Sequence, residues 1–148
     1  MALDNDILIY SEDLDQLNAA LSRFLQGSQA KSALLVSRLD GSLMAQQGFT
    51  EGLDTTSLAA LAAGAFASTR EIAALIGEPE FSVLFHQGRK DHIHISLVDD
   101  SSILMVLFDD RTTIGMVRLY AREVSARLAR VFVESRSRPH PGPAAARR

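Results

Sequence analysis

The sequence predicts an α/β domain of the α+β kind, ordered helix–strand–strand–helix–strand–strand–strand–helix, whose five-stranded, mainly antiparallel sheet carries helices on both faces. Three observations predict it. Ala33–Val36 and Ile103–Phe108 are wholly apolar, as strands covered on both faces must be. Asp40-Gly41 follows the first of them and is a strong hairpin signal. Helical stripes of apolar residues, spaced by three and four, occur before, between and after the strands.

Each element has its own signals. Ser11 precedes a helix in which Leu14, Leu17, Leu21, Phe24 and Leu25 share a face, and Gly27 is placed to end it at C′. Lys31–Arg38 and Ser42–Gln47 form a hairpin about Asp40-Gly41. Gly48–Leu53 is a loop, and Asp54-Thr55-Thr56-Ser57 offers side-chain oxygens to the first turn of a long helix. That helix ends at Ile76, because Gly77 is suited to C′ and Pro79 cannot continue it. Strands Phe81–Gln87, His92–Val98 and Ser102–Phe108 follow, separated by Gly88–Asp91 and Asp99–Ser101. Thr112 or Thr113 opens the last helix, which buries Val117, Tyr120, Ala121, Val124, Leu128, Val131 and Phe132.

A chain of 148 residues with 47% hydrophobic and 22% charged residues suits one globular domain with one sizeable core, assigned to residues 1–134. The absence of cysteine excludes thiolate metal sites and cysteine nucleophiles and fits a reducing, cytoplasmic setting. Residues 1–134 hold all 18 acidic residues against eleven basic ones, a net charge of −7, which argues against nucleic acid as a partner. Residues 135–148, with four arginines and three of the four prolines, read as a disordered basic tail. Asp4 and Asp6 without a basic n-region predict no secretory signal. The longest nearly continuous apolar run, Leu58–Ala67, is about half of a bilayer span, so membrane insertion is not expected.

The helix after Asp54 has no polar face. At 100° per residue, Leu58, Leu61, Ala62, Ala65, Thr69, Ile72 and Ile76 fall in one sector, predicted to lie on the sheet. The far side holds Thr56, Ala60, Ala63, Ala67 and Ala74, with Arg70 and Glu71 at its margins. Gly64 adds a cost of about 1 kcal/mol against Ala in a helix interior. Alanine fills exposed helix positions cheaply, but natural exposed faces usually carry Lys and Glu as well. The pattern therefore predicts a surface that another chain covers.

Candidate chemistry is sparse. His92 and His94 project from one face of a strand and His86 lies on the preceding strand, so three imidazoles could hold a zinc ion. The bland alternative is a strand with one polar and one apolar face, set by Ile93, Ile95 and Leu97. Asp99-Asp100 and Asp109-Asp110 suit Mg²⁺ or acid–base work, but both pairs also sit where Asp ends strands. Arg70, Arg89 and Arg111 are candidate arginine fingers for a nucleotide-binding partner, with Arg111 better explained by pairing with its aspartate neighbours. Arg118, Arg122 and Arg130 on the last helix are candidates for docking an acidic or phosphate-bearing partner. No phosphate-binding Gly-rich loop, nucleophile elbow or H-E-x-x-H is present, so no chemistry of the chain's own and no cofactor are expected.

Asp54–Ala59, Ala63-Gly64, Ile76-Gly77-Glu78 with Phe81, His86-Gln87-Gly88 and Phe108–Arg118 together resemble the Roadblock family of dynein light chain-like proteins, from about Ile7 to Phe132. Within it the sequence is most similar to the branch that regulates a bacterial Ras-like small GTPase. The resemblance implies a long second helix on one sheet face and terminal helices on the other. It also implies a homodimer with sheets joined edge to edge and second helices side by side, or a heterodimer with another Roadblock protein. A partner and dimer surface at Thr56, Ala60, Ala63, Gly64, Ala67, Arg70, Glu71 and Ala74 follows. The implied function is activation of GTP hydrolysis in cell polarity or motility, in the cytoplasm and at a cell pole through partners, the GTPase supplying the catalytic groups. A dimerising adaptor without such activity is the alternative, and a histidine-based metal enzyme a remote one. Glu71 departs from the smaller residue the resemblance implies, and the basic tail has no counterpart in it.

Overall fold

A computed structural model describes residues 11–137. Its elements are α1 (Ser11–Ser28), β1 (Ser32–Ser37), β2 (Leu43–Gly48), α2 (Thr55–Leu75), β3 (Val83–Gln87), β4 (His92–Asp99), β5 (Ser102–Phe108) and α3 (Ile114–Ser137). The sheet runs β2-β1-β5-β4-β3 and every pairing is antiparallel. β1 and β5, which contain the two wholly apolar runs, are neighbours in its interior, and every residue of β1 is buried.

Strand alternation divides these residues between two cores. Ala33 and Leu35 of β1 and Leu104, Val106 and Phe108 of β5 face α1 and α3, meeting Leu17, Leu21, Phe24, Val117, Leu128 and Phe132. Leu34, Val36, Ile103 and Met105 face the other way and meet Ala59, Ala62 and Phe66 of α2. The terminal helices thus cover one face and α2 the other, as the family resemblance implied.

The caps of α2 are those the sequence specified. The Asp54 carboxylate accepts from the Ser57 backbone N–H at 3.1 Å and from the Ser57 hydroxyl at 2.6 Å. These hydrogen bonds, to the side chain first and the backbone second, hold its pKa below the ordinary carboxylate value. At the other end Gly77 has φ +80° and the Glu78 N–H returns to the Ala73 carbonyl at 2.9 Å, satisfying carbonyls the last turn leaves free.

Several boundaries differ from expectation. Gly27 lies inside α1, and Gln29 takes the left-handed conformation, φ 62°. The glycine answers to a tertiary contact instead: a Cβ there would stand 2.5 Å from the Tyr120 ring of α3. β2 starts at Leu43, because Ser42 remains in the turn, bonded to Asp40 through its N–H and hydroxyl. β3 starts at Val83, two residues later than expected. α3 continues to Ser137, past the expected boundary at 134: Ser135 is buried and Arg136 pairs with Asp99 at 2.9 Å. The rest of the expected tail lies outside the described residues.

Gly48 fixes the entry to the α2 loop. It has φ +96°, and a Cβ would collide with the Lys31 carbonyl and stand 2.9 Å from the Ser32 Cα. Gly48→Ala is expected to destabilise the domain by about 2 kcal/mol or more, since neither the backbone conformation nor the adjacent strand can yield. Urea denaturation measures this, and an unchanged midpoint would contradict it.

Candidate functional site

The surface to be explained is the outward side of α2. Ala59, Ala62, Phe66 and Ala73 are buried, and Leu58, Ala63, Ala65 and Thr69 half-buried, so the helix meets the sheet mostly through small side chains. The sheet-facing sector expected from sequence, Leu58, Leu61, Ala62, Ala65, Thr69, Ile72 and Ile76, is therefore rotated by about 80° from the observed one. Small residues let the helix lie close: the Ala60 Cα is 3.1 Å from where a Cβ on Gly41 would stand. Leu61 (70% exposed), Ile72 (52%), Leu75 (86%) and Ile76 (64%) are consequently turned outward.

The residues expected to meet a partner lie on the exposed side. Thr56, Ala60, Gly64, Ala67, Arg70, Glu71 and Ala74 are exposed and Ala63 is half-buried. Among the described residues nothing lies within 4 Å of a Cβ built on Gly64, so none of them requires a glycine there. Together with the four large apolar side chains, Ala60, Gly64, Ala67 and Ala74 make the outward side of α2 largely apolar, interrupted by Ser57, Ser68, Arg70 and Glu71.

An ion cluster with Arg38 as its buried member anchors one flank of this surface. The Arg38 guanidinium, with a side chain 8% exposed, donates to Glu80 at 2.8 Å and lies 5.4 Å from the centre of the Phe66 ring. Arg70 donates to the same Glu80 oxygen at 3.2 Å. Burial alone would raise the Glu80 pKa, but hydrogen bonds from Arg38 and then Arg70 outweigh it and hold it below the ordinary value. Arg70 is thus tied into the fold rather than projecting as a finger. Arg38, Leu39, Ala63, Ala67, Arg70 and Asp100 line a groove of about 90 Å³ beside it.

The three histidines do not converge. His86 stands opposite Ile93 in the β3–β4 register, whereas His94 stands opposite Phe85, so His86 projects to the sheet face opposite His92 and His94. His92 packs against Phe85 and Phe108 and accepts from the Gly88 N–H at 3.2 Å, while His94 is 1% exposed beneath α3. Among the described residues no cluster of histidine and carboxylate ligands forms. The zinc reading fails because strand pairing, which the sequence alone does not reveal, separates the imidazoles.

The aspartate pairs close strand ends. Asp99 accepts from the Ser101 N–H at 2.8 Å and from the Ser102 hydroxyl at 2.8 Å, and Asp109 accepts from the Arg111 N–H and Nε, each at 3.1 Å. Arg111 is accordingly held by Asp109, and Arg89 is exposed in the β3–β4 turn. Arg118, Arg122 and Arg130 lie on α3, across the sheet from α2, and belong to a different surface. Arg118 and Arg122 border a cavity there, whereas Arg130 lies outside it. Sequence reasoning missed Arg38 and Glu80, which are 42 positions apart and meet only in the folded chain.

A sheet with two helices on one face and a single apolar helix on the other defines a class. Residues 16–108 match the Roadblock/LC7 domain, and the chain belongs to that family. It is similar to MglB of Myxococcus xanthus at 40% identity, with TM-score 0.76 over 80% of this chain and 95% of that one. The gliding protein MglB of Thermus thermophilus is 27% identical, with TM-score 0.80 over 87% and 97% of the two chains. An MglB described as having a tetrameric arrangement is 26% identical, with TM-score 0.82 over 88% and 97%. Profilin II of Acanthamoeba castellanii, at 12% identity and TM-score 0.56 over 76% and 96%, shares the fold. No curated protein sequence matches.

α2 is long and apolar enough to cross a membrane by length and composition, a feature the shorter run Leu58–Ala67 did not reveal. Its place in the domain accounts for the composition otherwise: one side lies on the sheet, and Arg70 and Glu71 sit within it, Arg70 bonded to Glu80.

Arg38→Ala is expected to lower the unfolding free energy by about 2 kcal/mol through loss of a charge-assisted hydrogen bond and a cation–ring contact. Because the native pKa of Glu80 is depressed, its contribution is complete above the ordinary carboxylate range and is lost as pH falls through it. Urea titrations at neutral and acidic pH should show a smaller acid-dependent loss in Arg38→Ala than in the parent. Parallel pH profiles would contradict the assignment.

Proposed function

We infer that the chain is a dimeric regulator of a Ras-like small GTPase of the MglA type and accelerates its GTP hydrolysis by docking on the switch regions. The observation that carries this reading is the outward side of α2, where Leu61, Ile72, Leu75 and Ile76 stand exposed beside Ala60, Gly64, Ala67 and Ala74. A largely apolar exposed surface of this kind marks an interaction site. The 40% identity to an MglB over most of both chains supports a small GTPase as the partner. Two such helices side by side bury part of the surface in a homodimer, or in a heterodimer with another Roadblock protein, and the remainder meets the GTPase. β3 lies at the outer edge of the sheet with its strand largely exposed, the position at which a second sheet continues the first.

The mechanism needs no catalytic group from this chain. A rigid surface that binds the hydrolysis-competent switch conformation more tightly than its alternatives raises the population of that conformation. The acceleration by this route is bounded by the ratio of those affinities. Charge stabilisation in the transition state then comes from groups of the GTPase, already oriented before reaction. The role suits a cytoplasmic protein of bacterial polarity or motility that is brought to a cell pole by its partners. The α3 arginines, on the other side of the sheet, are left for contacts outside the α2 surface.

Single-turnover GTP hydrolysis by an MglA-type GTPase, with and without this protein, tests the reading. The expected result is acceleration that saturates with concentration and is lost in Ala67→Arg, a substitution at an exposed position that leaves the circular-dichroism spectrum folded. Nucleotide-selective binding without acceleration would overturn activation in favour of a scaffold adaptor.

A further inference from the structure

The face of β4 turned towards α3 carries polar residues where a core strand would carry apolar ones. His94 pairs with Val106 and Ser96 with Leu104, so both project under α3 into the layer that otherwise holds Leu35, Leu104 and Val106. His94 is 1% and Ser96 8% exposed. Neither His94 ring nitrogen has a hydrogen-bond partner, nor have the buried hydroxyls of Ser96 and Ser125. An unsatisfied buried polar group costs about 1–3 kcal/mol, so such a cluster asks for a reason.

These groups line a common space. A cavity of about 270 Å³ between α3 and the β3–β4 side of the sheet is bordered by Ser82, His94, Ser96, Arg118, Arg122 and Ser125. Its rim contains no carboxylate, and among the described residues no ion pair engages Arg118 or Arg122. Burial, and then the positive field of Arg118, pushes the His94 pKa down to about 4, so the imidazole is neutral at neutral pH and offers one N–H donor. The lining therefore combines apolar Val83, Leu97 and Ala121 with hydroxyl, imidazole and guanidinium donors, is positively charged at its mouth and, among the described residues, has no carboxylate.

We propose that the cavity between α3 and β4 is a binding site for a small phosphate-type oxyanion, held by the Arg118 and Arg122 guanidiniums at the mouth and by His94, Ser96 and Ser125 in the interior. The donor set favours phosphate over a carboxylate, because two guanidiniums, the hydroxyls and an imidazole N–H can serve three or four acceptor oxygens rather than two. The site lies across the sheet from α2 and does not depend on the reading of that helix as a docking surface. It gives the family fold a second input: anion binding ties the first half of α3 to β4.

Isothermal titration calorimetry of the full chain with inorganic phosphate tests the site, with phosphoserine as a second ligand to distinguish a site for the free anion from one that also accepts an ester. The expected result is saturable binding with Kd on the order of 1 mM or tighter. Arg118→Gln should weaken it about tenfold, the loss of one charge-assisted hydrogen bond. Arg130→Gln, on the same helix but outside the cavity, should leave it unchanged. The His94 ring ¹⁵N resonances should shift with the same saturation curve, a readout independent of heat. Binding to inorganic phosphate alone restricts the site to the free anion, and binding to both ligands extends it to esters. Absence of saturation with either ligand, or equal effects of the two arginine substitutions, would overturn the proposal.

Discussion

Apolar surface on both sides of a single helix is the constraint on which this structure turns. The inner side of α2 meets the sheet through Ala59, Ala62, Phe66 and Ala73, and that contact fills one of the two cores. The outer side then presents Leu61, Ile72, Leu75 and Ile76, whose exposure to water is unfavourable by roughly 25 cal/mol per Å². A helix that turns Leu61, Ile72, Leu75 and Ile76 outward, while Ala59, Ala62 and Ala73 pack inward with Phe66, gives up core burial in order to offer a surface. The sheet supports this arrangement because β1 and β5, apolar on both faces, supply packing to α2 on one side and to α1 and α3 on the other.

The elements that hold α2 in place are local and polar. Asp54 caps its start, Gly77 allows its end, and Glu80 joins Arg38 of the β1–β2 turn to Arg70 on the helix. Such fixing would serve the proposed function, in which the surface selects a conformation of its partner. A helix free to shift against the sheet would bind several switch geometries and discriminate less among them. The exposed groups therefore depend on the caps and on the ion cluster for their use.

Much of the fold was legible because its signals are local. Two apolar strands, an Asp–Gly turn, the Asp54 cap and the Gly77 stop each follow from a few neighbouring residues. The rotation of α2 was not legible, since a helix apolar all round has no strong moment to set its phase. Hydrophobicity alone points Leu61 and Ile72 inward, whereas close approach to the sheet favours alanine. Gly27 looks like a helix stop in the sequence because its actual neighbour, Tyr120, is remote in the chain. His92 and His94 were correctly placed on one strand face, but the position of His86 depends on the β3–β4 register. The cavity under α3 was invisible for the same reason: its polar groups come from separate elements that meet only after packing.

The most direct measurement is the mass of the protein in solution by light scattering at micromolar concentration, joined to hydrogen exchange along α2. The account predicts a particle of twice the chain mass, with amides around Gly64 protected beyond what the isolated domain provides. A particle of one chain mass, with the outward side of α2 exchanging as freely as an exposed helix, would contradict it.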